Sequence, residues 1–382
     1  MFVQNVNTMK KLFGILSFML CATPMVYAQA DGNAALKSSD VATALNGVVA
    51  KGKVIASGSF GKNVNYELYD DYTLCIFGKG AMYNYDLEYI DNGVHRYEGV
   101  YGEDVTTAPW GKNVKSVVIE DGVTRIGAYA FTGCTSLTDV NIPNSVTSIG
   151  RGSFQYCTAL QKINIPNSVT SIGTYAFSEC TSLSDVNIPE SIVTLEEHVF
   201  HRCISLEHID IPNSITRIEG SAFQYCPFKE VIIPDNVTYI GPFAFAQCDN
   251  LKYVEIGKGV TVLDNGAFWH NGQTYRTIEV KINTETHITL LGTPNTFGNV
   301  EGLTFHVPKE ILDDYRKSED WSYYKEQLNG YSSSTGISSV GNGQSAKKVD
   351  AVYDLQGRRV TEMLSNRIYI VNGKKIVNKF RD

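Results

Sequence analysis

Six cysteines keep one phase in this chain: Cys134, Cys157, Cys180, Cys203, Cys226 and Cys248, spaced 23, 23, 23, 23 and 22 residues apart. A phenylalanine stands three residues before each: Phe131, Phe154, Phe177, Phe200, Phe223 and Phe245. Self-similarity at a fixed period of this size is the signature of stacked repeats, each too small to bury its own apolar side. It predicts a solenoid with a long ladder surface and no evident catalytic cleft.

Aligned on the cysteines, each coil carries the same physical order. Three residues on stand Leu137, Leu160, Leu183, Leu206 and Leu251, with Phe228 two residues on in the short coil. Apolar pairs at period 2 follow, from Val140/Ile142 and Ile163/Ile165 to Val254/Ile256. Alternation of this kind means a strand. Prolines 143, 166, 189, 212 and 234 come next, with Gly257 in the last position of the series. Proline lacks an amide hydrogen, so it ends the strand and forces a corner. A second apolar pair, such as Val146/Ile149 or Val169/Ile172, completes the coil. Stacked coils bury these positions against one another, with strands ~4.8 Å apart. The series is expected to begin at 114–119, to reach its seventh strand at 251–256, and to end at 302–307 after an irregular coil over 270–300.

The order strand, proline corner, apolar pair, A-F-x-x-C resembles the BspA-like leucine-rich repeats of bacterial surface proteins. I-P-N-S-V-T-S-I-G at 142–150 and 165–173 carries the resemblance, with A-F-T-G-C-T-S-L at 130–137 and A-F-S-E-C-T-S-L at 176–183. The segment before it is similar to that family's N-terminal cap: 66–69, the turn at Asp70-Asp71, 73–77 and 78–82, with A-P-W at 108–110 and V-V-I-E-D-G-V at 117–123. The resemblance implies a mainly β leucine-rich-repeat solenoid of parallel strands in ~23-residue coils, with an N-terminal β cap and a small C-terminal β tail. It also implies adhesion to host or bacterial surface proteins, and it names no ligand.

The ends suggest an exported protein. Residues 1–28 read as a secretory signal: Lys10-Lys11, the apolar stretch 12–20, and a small-residue cleavage site at Val26-Tyr27-Ala28. The apolar stretch is short of the ~20 residues that span a membrane. Leu20 is too large for a lipid-attachment site at Cys21. Residues 29–113 form the N-terminal segment and cap, 114–330 the repeats and their C-terminal closure, and 331–349 a Ser/Gly linker. In 309–328, Tyr315, Trp321 and Tyr324 amid charges suggest a short helix or turn sealing the last coil. Residues 350–382 form a β tail, with Asn372-Gly373 as a hairpin signal. D-L-Q-G-R-R-V and I-Y-I-V-N-G-K-K make this tail similar to type IX secretion sorting domains, although Asn366-Arg367-Ile368-Tyr369 lacks that family's glycine. The resemblance implies the outer surface of a Gram-negative bacterium or the medium beyond it. A small β module with no transport role is the alternative.

The formal net charge is −7, and loss of residues 1–28 removes two lysines and no acid, leaving 31 basic against 40 acidic residues, or −9. That argues against nucleic acid as a partner. In an exported chain, six cysteines at one phase suggest disulfides between coils. The favoured reading is instead a column of small core residues, because each cysteine faces two equivalent neighbours. Cys75 has no obvious partner. Glu196-Glu197-His198 with His201 is the most metal-like cluster, but Val199 and Phe200 hold the inward phase, so the histidines are expected to face solvent. No C-x-x-C, H-E-x-x-H, G-x-S-x-G or phosphate-loop pattern occurs. No catalytic, cofactor or metal residue is assigned.

The outward strand positions are the candidate binding residues. One row holds Asp139, Lys162, Asp185, His208, Glu230 and Tyr253; the other holds Asn141, Asn164, Asn187, Asp210 and Glu255, with Ile232 between the last two. The asparagines also suit a structural ladder of stacked amides. The varied first row suits either a contact surface or an unconstrained one. Tyr129, Tyr156, Tyr175, Tyr225 and Phe243 place aromatics near the A-F-x-x-C corner, which favours protein or glycan partners. Three readings follow: a protein-binding surface protein, a glycan-binding surface module, and a passive surface-layer spacer.

Overall fold

The computed structural model describes residues 52–85, 108–270 and 277–332, except 293, 294, 299 and 301, and the backbone of six short strands elsewhere. The expected export segment, and the linker beyond Ser332, lie outside the described residues. The chain divides into two units, Met1–Ser332 and Ser333–Asp382.

The first unit is a parallel β-solenoid. Its first strand column runs Thr73–Gly78, Ser116–Ile119 and Asp139–Asn141 in one sheet, with Lys162–Ile163 and Asp185–Val186 next as a pair. Glu230–Ile233, Tyr253–Ile256, Thr277–Ile282, Gly302–Pro308 and Leu328–Tyr331 form the following sheet. Register steps by one coil: Val117 pairs with Val140, Ile163 with Val186 and Val231 with Val254. The second column, past the corner, runs from Gly80–Ala81 through Val123–Ile126, Ser148–Ile149 and Ser171–Ile172, then from Thr194–Leu195 to Thr289–Leu290.

Both ends of the series differ from the sequence reading. Thr73–Gly78 already pairs in parallel with Ser116–Ile119, so the ladder starts one strand earlier. The stretch 270–300 is not wholly irregular. It supplies Thr277–Ile282 and Thr289–Leu290, which extend both columns. The reason lies in register steps of 26 and 27 residues, which break the period while keeping the inward alternation.

Between columns, each coil turns through its A-F-x-x-C segment. Phe154 N–H donates to Ala176 O at 2.9 Å, Phe177 to Val199 O at 2.9 Å and Phe200 to Ala222 O at 2.9 Å. The rings form a continuous buried stack, with centroids 5.5 Å apart from Phe154 to Phe177 and from Phe177 to Phe200. Trp110 closes the stack at one end, 5.7 Å from Phe131. At the other end Phe297 meets Phe305 and Tyr324 edge-on.

Two left-handed residues bracket each phenylalanine. Tyr129, Gly152, Tyr175, His198, Ser221, Phe243 and Gly266 share the first position. Gly133, Tyr156, Glu179, Arg202, Tyr225 and Gln247 share the second. This conformation costs a non-glycine residue about 1–2 kcal/mol, so packing must hold it. Where glycine occurs, a neighbour's ring uses the space: a Cβ on Gly152 would stand 2.5 Å from the Tyr129 ring.

The six cysteines are free thiols, fully buried. Each from Cys157 onward donates its S–H to the phenylalanine carbonyl of the coil before: Cys157 to Phe131 O at 3.2 Å, Cys203 to Phe177 O at 3.2 Å and Cys226 to Phe200 O at 3.3 Å. Burial pushes the Cys134 and Cys180 thiols up to about 12. Cys75 is buried in the strand Thr73–Gly78.

The segment after Pro308 turns through a short helix, Leu312–Lys317, and a 3₁₀ turn, Ser322–Gln327. Its aromatics are buried with their polar tips engaged. Trp321 Nε1 donates to Ile288 O at 2.6 Å, and the Tyr315 hydroxyl accepts from Ile288 N–H at 3.1 Å. In the second unit, Val352–Tyr353, Arg359–Val360, Ile368–Val371 and Lys374–Val377 form an antiparallel sheet. Val371 pairs with Lys374, so the last two strands form a hairpin across 372–373.

Candidate functional site

The alternation of the first column fixes which side chains reach solvent. Asp139, Lys162, Asn164, Asp185, Asn187, His208, Asp210 and Glu230 are exposed on this face. Asn141 and Tyr253 are half-buried, and Glu255 is buried. Several of the exposed charges pair across coils. Lys162 Nζ meets Asp185, and Lys229 Nζ lies 2.9 Å from Glu207. Within one coil, His208 Nε2 lies 3.3 Å from Asp210. Exposed pairs of this kind are worth at most about 1 kcal/mol and exchange readily with a partner's charges.

Asn141 and Asn187 bond the main chain of the coil before and not a neighbouring amide. Asn187 Nδ2 donates to Ile165 O at 2.7 Å while Ile165 N–H donates to Asn187 Oδ1 at 2.7 Å. Asn141 Nδ2 donates to Ile119 O at 3.3 Å. A side-chain amide therefore takes the place of a strand partner where the ladder stops short. The amide mimics a peptide group, which is why asparagine suits this position.

Glu255 leaves the contact row altogether. Lys281 Nζ lies 3.1 Å from its Oε1, Asn283 Nδ2 donates to the same oxygen at 3.0 Å, and the Tyr253 hydroxyl donates to Oε2 at 3.1 Å. Tyr331 extends the network, donating to Asn283 Oδ1 at 2.8 Å. These donors satisfy a carboxylate that water barely reaches. Lys281, Asn283 and Tyr331 fall outside the 23-residue phase, so no repeat alignment places them beside Glu255.

The corner near the cysteines is also more closed than expected. His198 stacks on Tyr175 with centroids 4.4 Å apart, and His201 meets Tyr225 edge-on at 5.8 Å. Both histidines are half-buried rather than solvent-facing. Their left-handed or adjacent backbone turns the rings back along the coil axis. Burial first, then the His198 and Arg202 charges, pull the His201 pKa down to about 4. Arg151 lies over Tyr175 and Arg202 over Tyr225, while Arg202 Nε pairs with Glu179 at 2.8 Å. Tyr175 and Tyr225 each pack against a histidine and an arginine, while Tyr225 and Phe243 remain exposed. Among the described residues no group of three or more His, Cys, Asp or Glu side chains is placed to hold a metal ion. No helix among them is long and apolar enough to cross a membrane.

Comparison with known proteins bears on this architecture. No curated protein matches the chain. A leucine rich cell surface protein from Faecalibacterium prausnitzii A2-165 is 25% identical, over 67% of this chain and 76% of that one, with a TM-score of 0.41. The T. pallidum Leucine Rich Repeat protein is 23% identical, over 69% and 95%, with a TM-score of 0.33. The pneumococcal vaccine antigen PcpA is 16% identical, over 73% and 98%, with a TM-score of 0.34. The family model for the BspA type Leucine rich repeat region matches in six copies over residues 110–229 and 218–304, just over half of the chain. This chain belongs to the BspA type leucine-rich repeat family.

Proposed function

We propose that this chain is an exported surface protein that binds other proteins, host or bacterial, through the strand face of its solenoid. The observation that carries the reading is the outward row Asp139, Lys162, Asp185, His208 and Glu230. These exposed side chains differ from coil to coil on a backbone of fixed spacing. A rigid scaffold loses little entropy on association, which favours a sum of many weak contacts. Export is supported by the signal-like residues 1–28. Sorting through type IX secretion, to the outer surface of a Gram-negative cell, is supported only by the motifs at 354–360 and 368–375.

The glycan reading draws less support. A sugar platform needs free ring faces, and Tyr175 gives one face to His198. Nor does any cluster in the described residues recommend catalysis. The test is capture of host matrix and bacterial surface proteins by the purified full chain, beside a glycan array. Retention of proteins that weakens when Asp139, Lys162 and Glu230 are charge-reversed supports the reading. Glycan binding without protein capture, or silence in both, overturns it.

A further inference from the structure

One group of outward side chains holds more chemistry than a binding row needs. Lys281 and Asn283 meet on a single oxygen of Glu255: Lys281 Nζ lies 3.1 Å from Oε1, and Asn283 Nδ2 donates to the same atom at 3.0 Å. Strand register sets this meeting, since Glu255 pairs with Lys281 and Asn283 stands two residues on, just past the strand end. The other end of the amide is held as well. The Tyr331 hydroxyl donates to Asn283 Oδ1 at 2.8 Å, with Ile282 O a second acceptor at 3.1 Å. The Tyr331 ring centroid stands 5.8 Å from Lys281 Nζ, and the Tyr253 hydroxyl donates to Glu255 Oε2 at 3.1 Å. Water is nearly shut out: the Glu255 and Lys281 side chains are 12% and 17% exposed.

An ordinary buried ion pair needs none of the amide's geometry. Asn141 and Asn187, at outward positions of earlier coils, bond the main chain of the coil before. Asn283 instead sets its nitrogen on a carboxylate and its carbonyl oxygen on a hydroxyl donor. That places an acyl group between a general acid–base and a donor to the developing oxyanion. A primary amine stands on the same carboxylate oxygen. It lies no further from the amide nitrogen than the two contacts laid end to end. An amine and an acyl group held this way react as though highly concentrated.

We propose that Lys281 and Asn283 join through an isopeptide bond, with Glu255 as the catalytic residue and Tyr331 as the donor to the amide oxygen. The Lys281 ammonium gives one proton to Glu255. The neutral Nζ attacks Cγ of Asn283, a new C–N bond forms, and the carbonyl electron pair moves onto Oδ1, where the Tyr331 hydroxyl stabilises it. That pair then returns and the Cγ–Nδ2 bond breaks. The departing nitrogen takes the proton held on Glu255 and a second one from Nζ, so it leaves as ammonium and the carboxylate is restored. No oxidant or further reactant enters. The new bond closes a ring across Ile282, beside the point where Tyr331 anchors the last strand, Leu328–Tyr331. The proposal stands apart from the protein-binding reading and does not depend on it.

The experiment is a tryptic map of the purified full chain, read by mass spectrometry. Trypsin does not cut after an acylated lysine. The linked chain should therefore give one fragment, 277–309, lighter by one ammonia than its sequence, in place of 277–281 and 282–309. Lys281→Arg should restore both the cut and the full mass. Glu255→Gln should lower the linked fraction about tenfold or more, and Tyr331→Phe by about as much, in proteins that melt cooperatively. A cyclic imide formed by Asn283 alone loses the same ammonia but leaves Lys281 open to trypsin. Full-mass fragments cut after Lys281 overturn the proposal, and so does the imide. Undiminished linkage in folded Glu255→Gln overturns the role given to Glu255. The map of the unaltered chain decides on the bond itself even where a variant does not fold.

Discussion

The Sγ of Cys180 lies 3.1 Å from the carbonyl oxygen of Phe154, one coil back. The same bond recurs between Cys203 and Phe177 and between Cys226 and Phe200. The thiol therefore has two tasks: it fills a space where the chain turns tightly, and it gives a second donor to a buried carbonyl that already accepts from the main chain, as Phe154 O does from Cys157 N–H at 3.1 Å. Both explain why it stays reduced, since its hydrogen and its position are already committed.

Replacing Cys203 by alanine should cost about 1 kcal/mol, from the loss of sulfur packing and of one of the two donors to Phe177 O, which keeps the Cys180 N–H at 3.2 Å. Denaturant unfolding checks this. The folded protein should leave all six column thiols unreactive toward a thiol reagent, and denaturation without reductant should release them.

Alkali should unfold the protein through the same residues. The folded thiols of Cys134 and Cys180 titrate near 12 against an ordinary value of 9. A raised folded-state pKa means that the unfolded chain loses its protons first. The stability contributed is whole below pH ~9 and falls as pH rises from there toward 12. A melting temperature that stays flat across this window contradicts the assignment.

Phe177→Ala should destabilise by about 3–5 kcal/mol, because the ring is fully buried between Phe154 and Phe200. A loss under about 1 kcal/mol would show that the rings do not bear on one another.

His201 should report acid. Its pKa near 4 lies below the ordinary 6.5, so the unfolded chain binds the proton first. Its share of stability is whole above pH ~6.5 and declines as pH falls toward 4. His201→Gln should flatten that part of the stability profile, and an NMR titration of the ring should place its midpoint well under 6.5.

The left-handed positions give a paired test. Gly152→Ala should destabilise by about 1 kcal/mol or more, for the new methyl meets the Tyr129 ring at a φ of 55°. Adding Tyr129→Ala should recover part of the loss by removing the ring. Ser221→Gly, at a φ of 54°, should run the other way and gain up to about 1 kcal/mol. Chemical denaturation of the four proteins decides.

Much of this architecture is legible in the order of the amino acids. Phe131 to Phe245 and Cys134 to Cys248 share one phase, and that alone fixes the inward column, because only a stack can bury six identical sides. The strand alternation of Val231/Ile233 and Val254/Ile256 likewise names its own face. What is not legible has physical reasons. Asn187 suits an amide ladder, but its side chain bonds main chain that lacks a strand partner, and nothing in the repeat marks where a ladder ends. Glu255 keeps the outward phase yet is buried, because Lys281 and Asn283 arrive from a coil whose register step is 26 residues. His198 and His201 flank an inward residue, which suggests solvent, but positive φ at His198 lays its ring on Tyr175. Periodicity shows direction along a regular backbone and is silent wherever φ changes sign.

Every thiol reaches back one coil and no further, and within the column each ring touches the rings directly above and below it. Removing one whole coil would thus leave each survivor with neighbours of the kind it had before. Evolution can lengthen or shorten such a solenoid by duplication or deletion of whole coils, so its length is an adjustable property rather than a fixed one.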